Sequence, residues 1–251
     1  MEKRIGRSIR WLPEVDSTND ELARLLREDP APEEGLVVVA GEQRSGKGLA
    51  SNRWMSEPGK NLTFSCLIHP GFLRADQQFY LNIAVSLGVH RYLETRLAGQ
   101  QVSIKWPNDL YVGAKKIGGI LIQHAVSGNE ILHSIVGIGL NVNQEIFPPS
   151  LPNPVSIIQL VGVASDLQHV LDDLLAHLND YYLKISNLDF EGCRTEYRKA
   201  LLGYYKWLTF KHEGDVIRAR IIGVSETGLL RLEASGKKQF ECDLKEKEYL
   251  F

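Results

Sequence analysis

The stretch from Gln101 to Val142 constrains the fold more than any other part of the chain. It reads as four strands, Gln101–Trp106, Asp109–Val112, Lys116–Val126 and Glu130–Val142, joined by tight turns such as Gly113-Ala and Ser127-Gly-Asn. Such short links force neighbouring strands to run antiparallel, because a parallel pair needs a crossover of roughly a dozen residues. A regular βαβ alternation is thereby excluded. Helical patterns flank this block on both sides, so the main body reads as α+β with a mixed sheet.

The remaining pattern fills in around it. Ser8–Val15 reads as a short strand. Asp16-Ser-Thr-Asn-Asp-Glu21 then opens a helix, with Thr18 and Glu21 spaced as a capping box and Leu22, Leu25 and Leu26 as its apolar stripe. Gly35–Ala40 is a continuous apolar run and hence a buried strand. From Gly41 to Asn61 the pattern dissolves into a loop rich in Gly, Ser and Lys, of a length that marks either a functional or a disordered segment. Leu62, Phe64, Cys66 and Ile68 alternate with Thr63 and Ser65, as a strand does. Asp76–Leu97 is expected to be the longest helix, with further helices at Asp166–Ile185 and Phe190–Leu202. After Gly203 the texture changes to short alternating strands split at Gly214, Gly228 and Gly236. This divides the chain into a body over 1–203 and a small β-barrel over 204–251.

Composition bounds the function classes. The 251 residues include 29 Lys and Arg against 31 Asp and Glu, a net charge of −2, so there is no global basic field for nucleic acid. The tail from Tyr204 is balanced too, with nine Lys/Arg against eight Asp/Glu. Three scattered cysteines, Cys66, Cys193 and Cys242, suggest neither a disulfide framework nor a zinc site and fit buried thiols in a reducing compartment. No apolar signal core opens the sequence and no stretch approaches 18 apolar residues. The expectation is a soluble, cytoplasmic protein without membrane contact.

Three segments carry chemistry. Gly41-Glu-Gln-Arg-Ser-Gly46-Lys47-Gly48 nearly fits a phosphate-binding P-loop. Gly48 replaces the hydroxyl that would hold Mg²⁺, and Pro58-Gly59 prevents the helix a P-loop must run into. The loop still concentrates Arg44, Lys47, Arg53 and Lys60 against Glu57 alone. That fits anion binding, and it also fits a solvated surface loop. Asp16-Ser17-Thr18-Asn19 reads either as a helix cap or as a set of hydroxyl and amide groups offered to a neutral polar ligand such as a urea. Lys105-Trp-Pro-Asn-Asp109 is interrupted as a strand by Pro107. Gly118 and Gly119, and later Gly137 and Gly139, weaken strands in the way that close approach of a ligand or backbone requires.

In this order, Ser17-Thr-Asn19, Gln43 with Gly46-Lys-Gly48, Lys105-Trp-Pro-Asn-Asp109, Lys116-Ile-Gly-Gly119 and Gly137-Ile-Gly-Leu-Asn141 resemble the biotin–protein ligases over essentially the whole chain. The resemblance implies a catalytic domain of the class II synthetase type with an SH3-like C-terminal barrel. It implies an ATP-dependent, AMP-forming ligase that activates biotin as biotinyl-5'-AMP, with Mg²⁺, and transfers it to a lysine of a biotin carboxyl carrier protein domain. By the same resemblance, Lys116, Asp109 and Lys47 are the catalytic residues. Ser17, Thr18, Asn19, Gln43, Lys47, Gly48, Leu49, Lys116 and Gly119 bind biotin, and Arg53, Trp54, Lys105, Asn108 and Asn141 bind the nucleotide. No metal ligand within the protein is expected. Leu49 and Asn52 stand where the family's loop carries arginines, and Arg44 or Arg53 is the available substitute.

Only Met1–Asp16 precede the Ser-Thr-Asn motif, so the sequence resembles the enzyme-only kind without a DNA-binding domain. No specific DNA partner is expected, and a homodimer is compatible with the family. A lipoate or octanoate ligase of the same fold, or a non-catalytic biotin-binding regulator, stands as the alternative. The barrel is expected to contribute to nucleotide binding or acceptor docking rather than to serve as a stabilising cap alone.

Overall fold

The computed structural model describes residues 5–29, 32–49, 52–212, 214–243 and 247–250. Strands β1 (Ser8–Val15), β2 (Leu36–Gln43), β3 (Leu62–Ile68), β4 (Val102–Lys105), β5 (Asp109–Val112), β6 (Lys115–Ser127) and β7 (Glu130–Leu140) make one sheet in the order β1-β2-β3-β7-β6-β5-β4. β1 and β2 are parallel, and α1 (Thr18–Glu28) is the crossover between them. The other pairs are antiparallel, and β4 to β7 lie side by side as their short turns require.

The apolar run in β2 is continuous because both faces of the strand are covered. Val37 and Val39 face the large core, built with α2 (Phe79–Arg96), α3 (Ile157–Val161), α4 (Leu167–Ser186) and α5 (Phe190–Ala200). Leu36 and Val38 face a smaller cluster with Leu22 of α1, Leu67 and Ile135. β3 obeys the same geometry with a different result. Leu62, Phe64, Cys66 and Ile68 enter the large core, while Thr63 and Ser65 turn to the α1 side and are nonetheless buried.

Three expectations need correction. α2 is preceded by a separate 3₁₀ turn at Ala75–Gln77, and at 18 residues it is shorter than α4 at 20. The proposed capping box at Thr18 and Glu21 does not form. Ser17 is the N-cap and makes no side-chain cap bond, Thr18 points into the protein, and Glu21 pairs with Arg24 instead. The loop after Gly41 starts later, because β2 runs on to Gln43. The three cysteines are free and buried as expected, and burial pushes the Cys66 thiol up to about 12. Among the described residues no helix is long and apolar enough to cross a membrane.

After Gly203, strands β8 (Trp207–His212), β9 (Asp215–Val224), β10 (Leu230–Ala234), β11 (Gln239–Cys242) and β12 (Lys247–Leu250) form a second, antiparallel sheet ordered β11-β10-β9-β8-β12, consistent with a small SH3-like unit. Its inward residues Phe210, Ile221, Leu230 and Leu232 join the large core. At the joint, the Trp106 indole donates to the Gly228 carbonyl at 3.0 Å. Gly228 adopts a φ of +94° and lies flush against Phe79, whose ring any Cβ there would overlap.

Candidate active site

An open cleft of about 290 Å³ lies between the start of α1, the loop after β2 and strands β4 to β7. Its first wall is neutral. Ser17, Thr18 and Asn19 open α1, are each nearly fully buried, and line the cleft together with Gln43. The backbone N–H of Thr18 donates to Gln43 Oε1 at 2.8 Å, and Thr18 Oγ1 lies 3.1 Å from the same atom. Asn19 Nδ2 donates to Gln123 Oε1 at 3.0 Å. Beneath them the Ser65 hydroxyl lies 2.6 Å from both Thr18 Oγ1 and Asn19 Oδ1. The helix start is thus anchored to the sheet through side chains that a cap would have spent on its own backbone.

The floor is main chain. Gly137 lies against the Asn19 carboxamide, and Gly139 lies under the Trp54 indole. A Cβ at either place would overlap its neighbour. The glycines in β7 therefore mark close approach, by side chains of this same chain. The Trp54 N–H is buried and finds no hydrogen-bond partner among the described residues.

The second wall is charged. Lys116 Nζ meets Asp109 Oδ1 at 2.7 Å, with both side chains about 30% exposed, at 31% and 29%. A register shift in the β5–β6 ladder places Lys116 opposite Tyr111. Without that bulge Lys116 would face Val112, on the other side of the sheet from Asp109. Gly119 keeps the space beside the pair open. Lys105 stands over the Tyr111 ring at 5.4 Å, and burial, with Asp109 nearby, pushes the Tyr111 hydroxyl up to about 12.

Along β6 and β7 the pairs Gly119↔Gly139 and Leu121↔Gly137 sit two residues apart. The charged pair and the polar trio are thus offset by about 7 Å along the strands.

The loop closes one side. Arg44 N and Ser45 N donate to the carbonyls of Val15 and Asp16, Lys47 bridges Arg53, and Trp54 N returns to Gly46 O. At its far end Asn61 and Glu57 both donate to the buried Gln144 side chain. Lys47 Nζ pairs with Asp20 at 2.7 Å, and Arg44 pairs with Glu14. Arg53 lines the cleft and Arg44 does not, and the Arg53 guanidinium donates through Nη2 to the Arg44 carbonyl at 2.9 Å.

The structure brings together Ser17, Thr18, Asn19, Gln43, Lys47, Gly48, Leu49, Arg53, Trp54, Lys105, Asn108, Asp109, Lys116 and Gly119 around one cleft. Asn108 lines it while its Nδ2 donates to the Ile120 carbonyl, holding β5 to β6. Asn141, expected on the nucleotide side, lies just beyond the end of β7 and is buried. Its Nδ2 donates to Val155 O at 3.0 Å, and it is not among the cleft-lining residues. Sequence reasoning missed Ser65. The available signal was its place in a strand alternation whose polar face had to meet something.

Pro107 breaks the strand as expected. The Trp106-Pro107 peptide is cis, and the Pro107 carbonyl accepts from Asn82 and Tyr197 at 2.9 and 2.7 Å. Among the described residues no group of three or more His, Cys, Asp or Glu could hold a metal ion, and Asp109 is the single carboxylate in the lining.

Comparison with known proteins places this geometry in context. Residues 11–141 match the biotin/lipoate A/B protein ligase family. The chain is 30% identical over 237 residues to the bifunctional ligase/repressor BirA of Bacillus spizizenii, spanning 92% of this chain and 72% of that protein. It is 29% identical to the biotin–[acetyl-CoA-carboxylase] ligase of Paracoccus denitrificans, over 76% of this chain and 81% of the relative. The solved biotin protein ligase of Aquifex aeolicus, in complex with biotin and ATP, superposes with a TM-score of 0.79 at 26% identity, covering 97% of this chain and 99% of that one.

Proposed function

We propose, from the premise that this chain belongs to the biotin/lipoate A/B protein ligase family, that it is an ATP-dependent biotin–protein ligase. The carrying observation is the pairing of two unlike walls in one cleft. A neutral set of hydroxyl, amide and carboxamide groups lies about 7 Å along the strands from a lysine–aspartate pair. That spacing suits a ligand with a neutral, hydrogen-bonding ring at one end and a carboxylate at the other. A lipoate or octanoate chain has nothing to pair with Thr18, Asn19 and Gln43 and would leave them unmatched.

The reaction follows in two balanced steps. The biotin carboxylate oxygen attacks the α-phosphorus of ATP and pyrophosphate leaves. Two anions must meet, so fixed positive charge is needed where charge builds. Lys116 and Lys47 supply it, and Arg53 takes the place of the missing loop arginines. The lysine amine of a carrier domain then attacks the acyl carbon, the C–O bond to phosphate breaks, and AMP leaves. Asp109 holds the Lys116 ammonium until substrate oxygens compete for it. It is then free to accept the proton that the incoming amine, with a reference pKa near 10.4, must lose. The mixed anhydride is water-labile, and the described loop segments 44–49 and 52–60, tied to β1 at one end and to Gln144 at the other, are the cover.

Magnesium would enter with the nucleotide substrate and supply positive charge at its phosphates, and Asp109 is the one carboxylate that lines the cleft among the described residues. The acceptor is a biotin carboxyl carrier domain of a carboxylase. The body over 1–203 carries the cleft, and the sheet over 204–251 steadies the Lys105–Asp109 segment through Trp106. Three free thiols suit the cytoplasm. The deciding experiment is ATP–pyrophosphate exchange. Exchange that requires biotin and fails with lipoate or octanoate is expected. Equal rates with lipoate, or none with biotin, overturn the reading.

A further inference from the structure

β7 ends at Leu140, and the chain from Asn141 to Ser156 runs on as a strap that touches two parts of the cleft. Its near end meets the end of the 44–60 loop. Asn143 N donates to the Lys60 carbonyl at 2.7 Å, and Val142 N donates to Asn61 Oδ1 at 2.9 Å. Its far end lies beside Lys116. The Lys116 backbone N–H donates to Asn153 O at 2.8 Å, and Val155 N donates to Lys116 O at 2.9 Å.

One buried side chain joins loop and strap. Gln144 Oε1 accepts the Glu57 backbone N–H at 3.1 Å and Asn61 Nδ2 at 2.5 Å, while its Nε2 donates to the Ile146 carbonyl at 2.9 Å. The orientation of this carboxamide is fixed, because a backbone N–H only donates and a carbonyl only accepts. Asn61 is fixed in the same way, with its oxygen on the Val142 N–H and its nitrogen on Gln144. The two amides thus run one way only, from the loop into the strap. The Ser156 hydroxyl donates to the Gln144 carbonyl at 2.5 Å and ties the strap to its own far end.

The neutral wall is held by different partners, Gln43, Ser65 and Gln123. The loop end and Lys116 both hang on the strap. An apolar side chain at 144 would strip the partner from two loop donors and one strap carbonyl at once, and those groups recover hydrogen bonds only by opening to water.

We propose that Gln144 is a positioning residue, which fixes the loop end to the strap beside Lys116 and so keeps the acyl-adenylate closed from water until the acceptor amine arrives. The inference rests on the ligase reading and deepens it. The side reaction it suppresses balances simply. Water oxygen attacks the acyl carbon, the C–O bond to phosphate breaks, biotin and AMP leave, and a proton passes to solvent.

The test uses the full chain with biotin and ATP and no acceptor protein, and compares AMP formation with biotin-dependent pyrophosphate exchange in the same sample. Gln144→Met, of similar length, should raise the ratio of AMP to exchange by about tenfold, the worth of roughly one neutral hydrogen bond. Its calorimetric Kd for biotin should stay within about twofold of wild type, because the neutral wall is untouched. A fall in exchange and in biotin affinity with an unchanged ratio makes Gln144 a merely structural residue and overturns the proposal, as does a ratio unchanged with everything else intact. Should Gln144→Met not fold, Gln144→Asn serves, since a side chain one methylene shorter cannot hold both segments, and an unchanged ratio there overturns the proposal instead. Wild-type protein without biotin-dependent exchange overturns the ligase reading and the proposal together.

Discussion

The two walls of the cleft are built on opposite principles. The neutral wall is nearly closed to water and tied down by hydrogen bonds that reach across the sheet, from Thr18 and Asn19 to Gln43, Ser65 and Gln123. The charged wall consists of ion pairs that are a third to a half exposed, Lys116 with Asp109 and Lys47 with Asp20. Buried hydrogen bonds hold one geometry because leaving a partner unmade is expensive. Half-exposed ion pairs cost little to exchange, because water and salt already share in them. The difference separates two tasks. The rigid wall recognises the part of the substrate that never changes, and the exchangeable wall handles the part that gains and loses charge.

That contrast can be broken from either side. The largest expected effect is from Lys116→Ala, which removes a charge-assisted contact and should slow biotin-dependent pyrophosphate exchange by about 10- to 150-fold. Unchanged exchange kinetics would reduce Lys116 to a turn lysine. A smaller effect should come from salt. Raising ionic strength towards about 1 M shrinks the Debye length to about 3 Å. The KM for ATP should rise several-fold, while the calorimetric Kd for biotin moves by less than about twofold, because ion pairs are screened far more than buried hydrogen bonds. Equal sensitivity of both substrates would erase the distinction. The smallest effect is expected from Asp20→Asn, which frees Lys47. Exchange rates should change by less than about fivefold, with no loss of thermal stability, as for other exposed pairs. A tenfold or greater loss would mean that this pair holds the loop in place.

The two walls were also unequally readable in the sequence. The cations and Asp109 stood out by type and spacing, but their pairing did not, because it depends on a bulge in the β5–β6 ladder that turns Lys116 to the face of Asp109. Nothing in the local residues announces that register shift. The polar trio was visible as a cluster, and its cap reading was reasonable on local grounds. It failed because the partners of Thr18 and Asn19 lie 25, 46, 47 and 104 residues away. Ser65 went unnoticed for the same reason. A polar residue alternating with apolar ones looks solvent-facing until a helix start is laid over it. Strands, helices and the hairpin succession were legible because periodicity and turns are local. The contact of Asn141 with Val155 was not legible, because it is made only when the segment before α3 folds back.

The glycine floor under the cleft has a consequence for how such a site can change. Gly137 and Gly139 bring bare main chain up to Asn19 and Trp54, so this surface has no side chain to remodel. A substitution there can only raise the floor, never lower or recharge it, and the first methyl already collides with the wall above. New ligand preferences must therefore arise at the rim, in Gln43, in Lys47 to Trp54 or in Lys116. The depth of the cleft is inherited unchanged, a fixed gauge against which every variant of the rim is fitted.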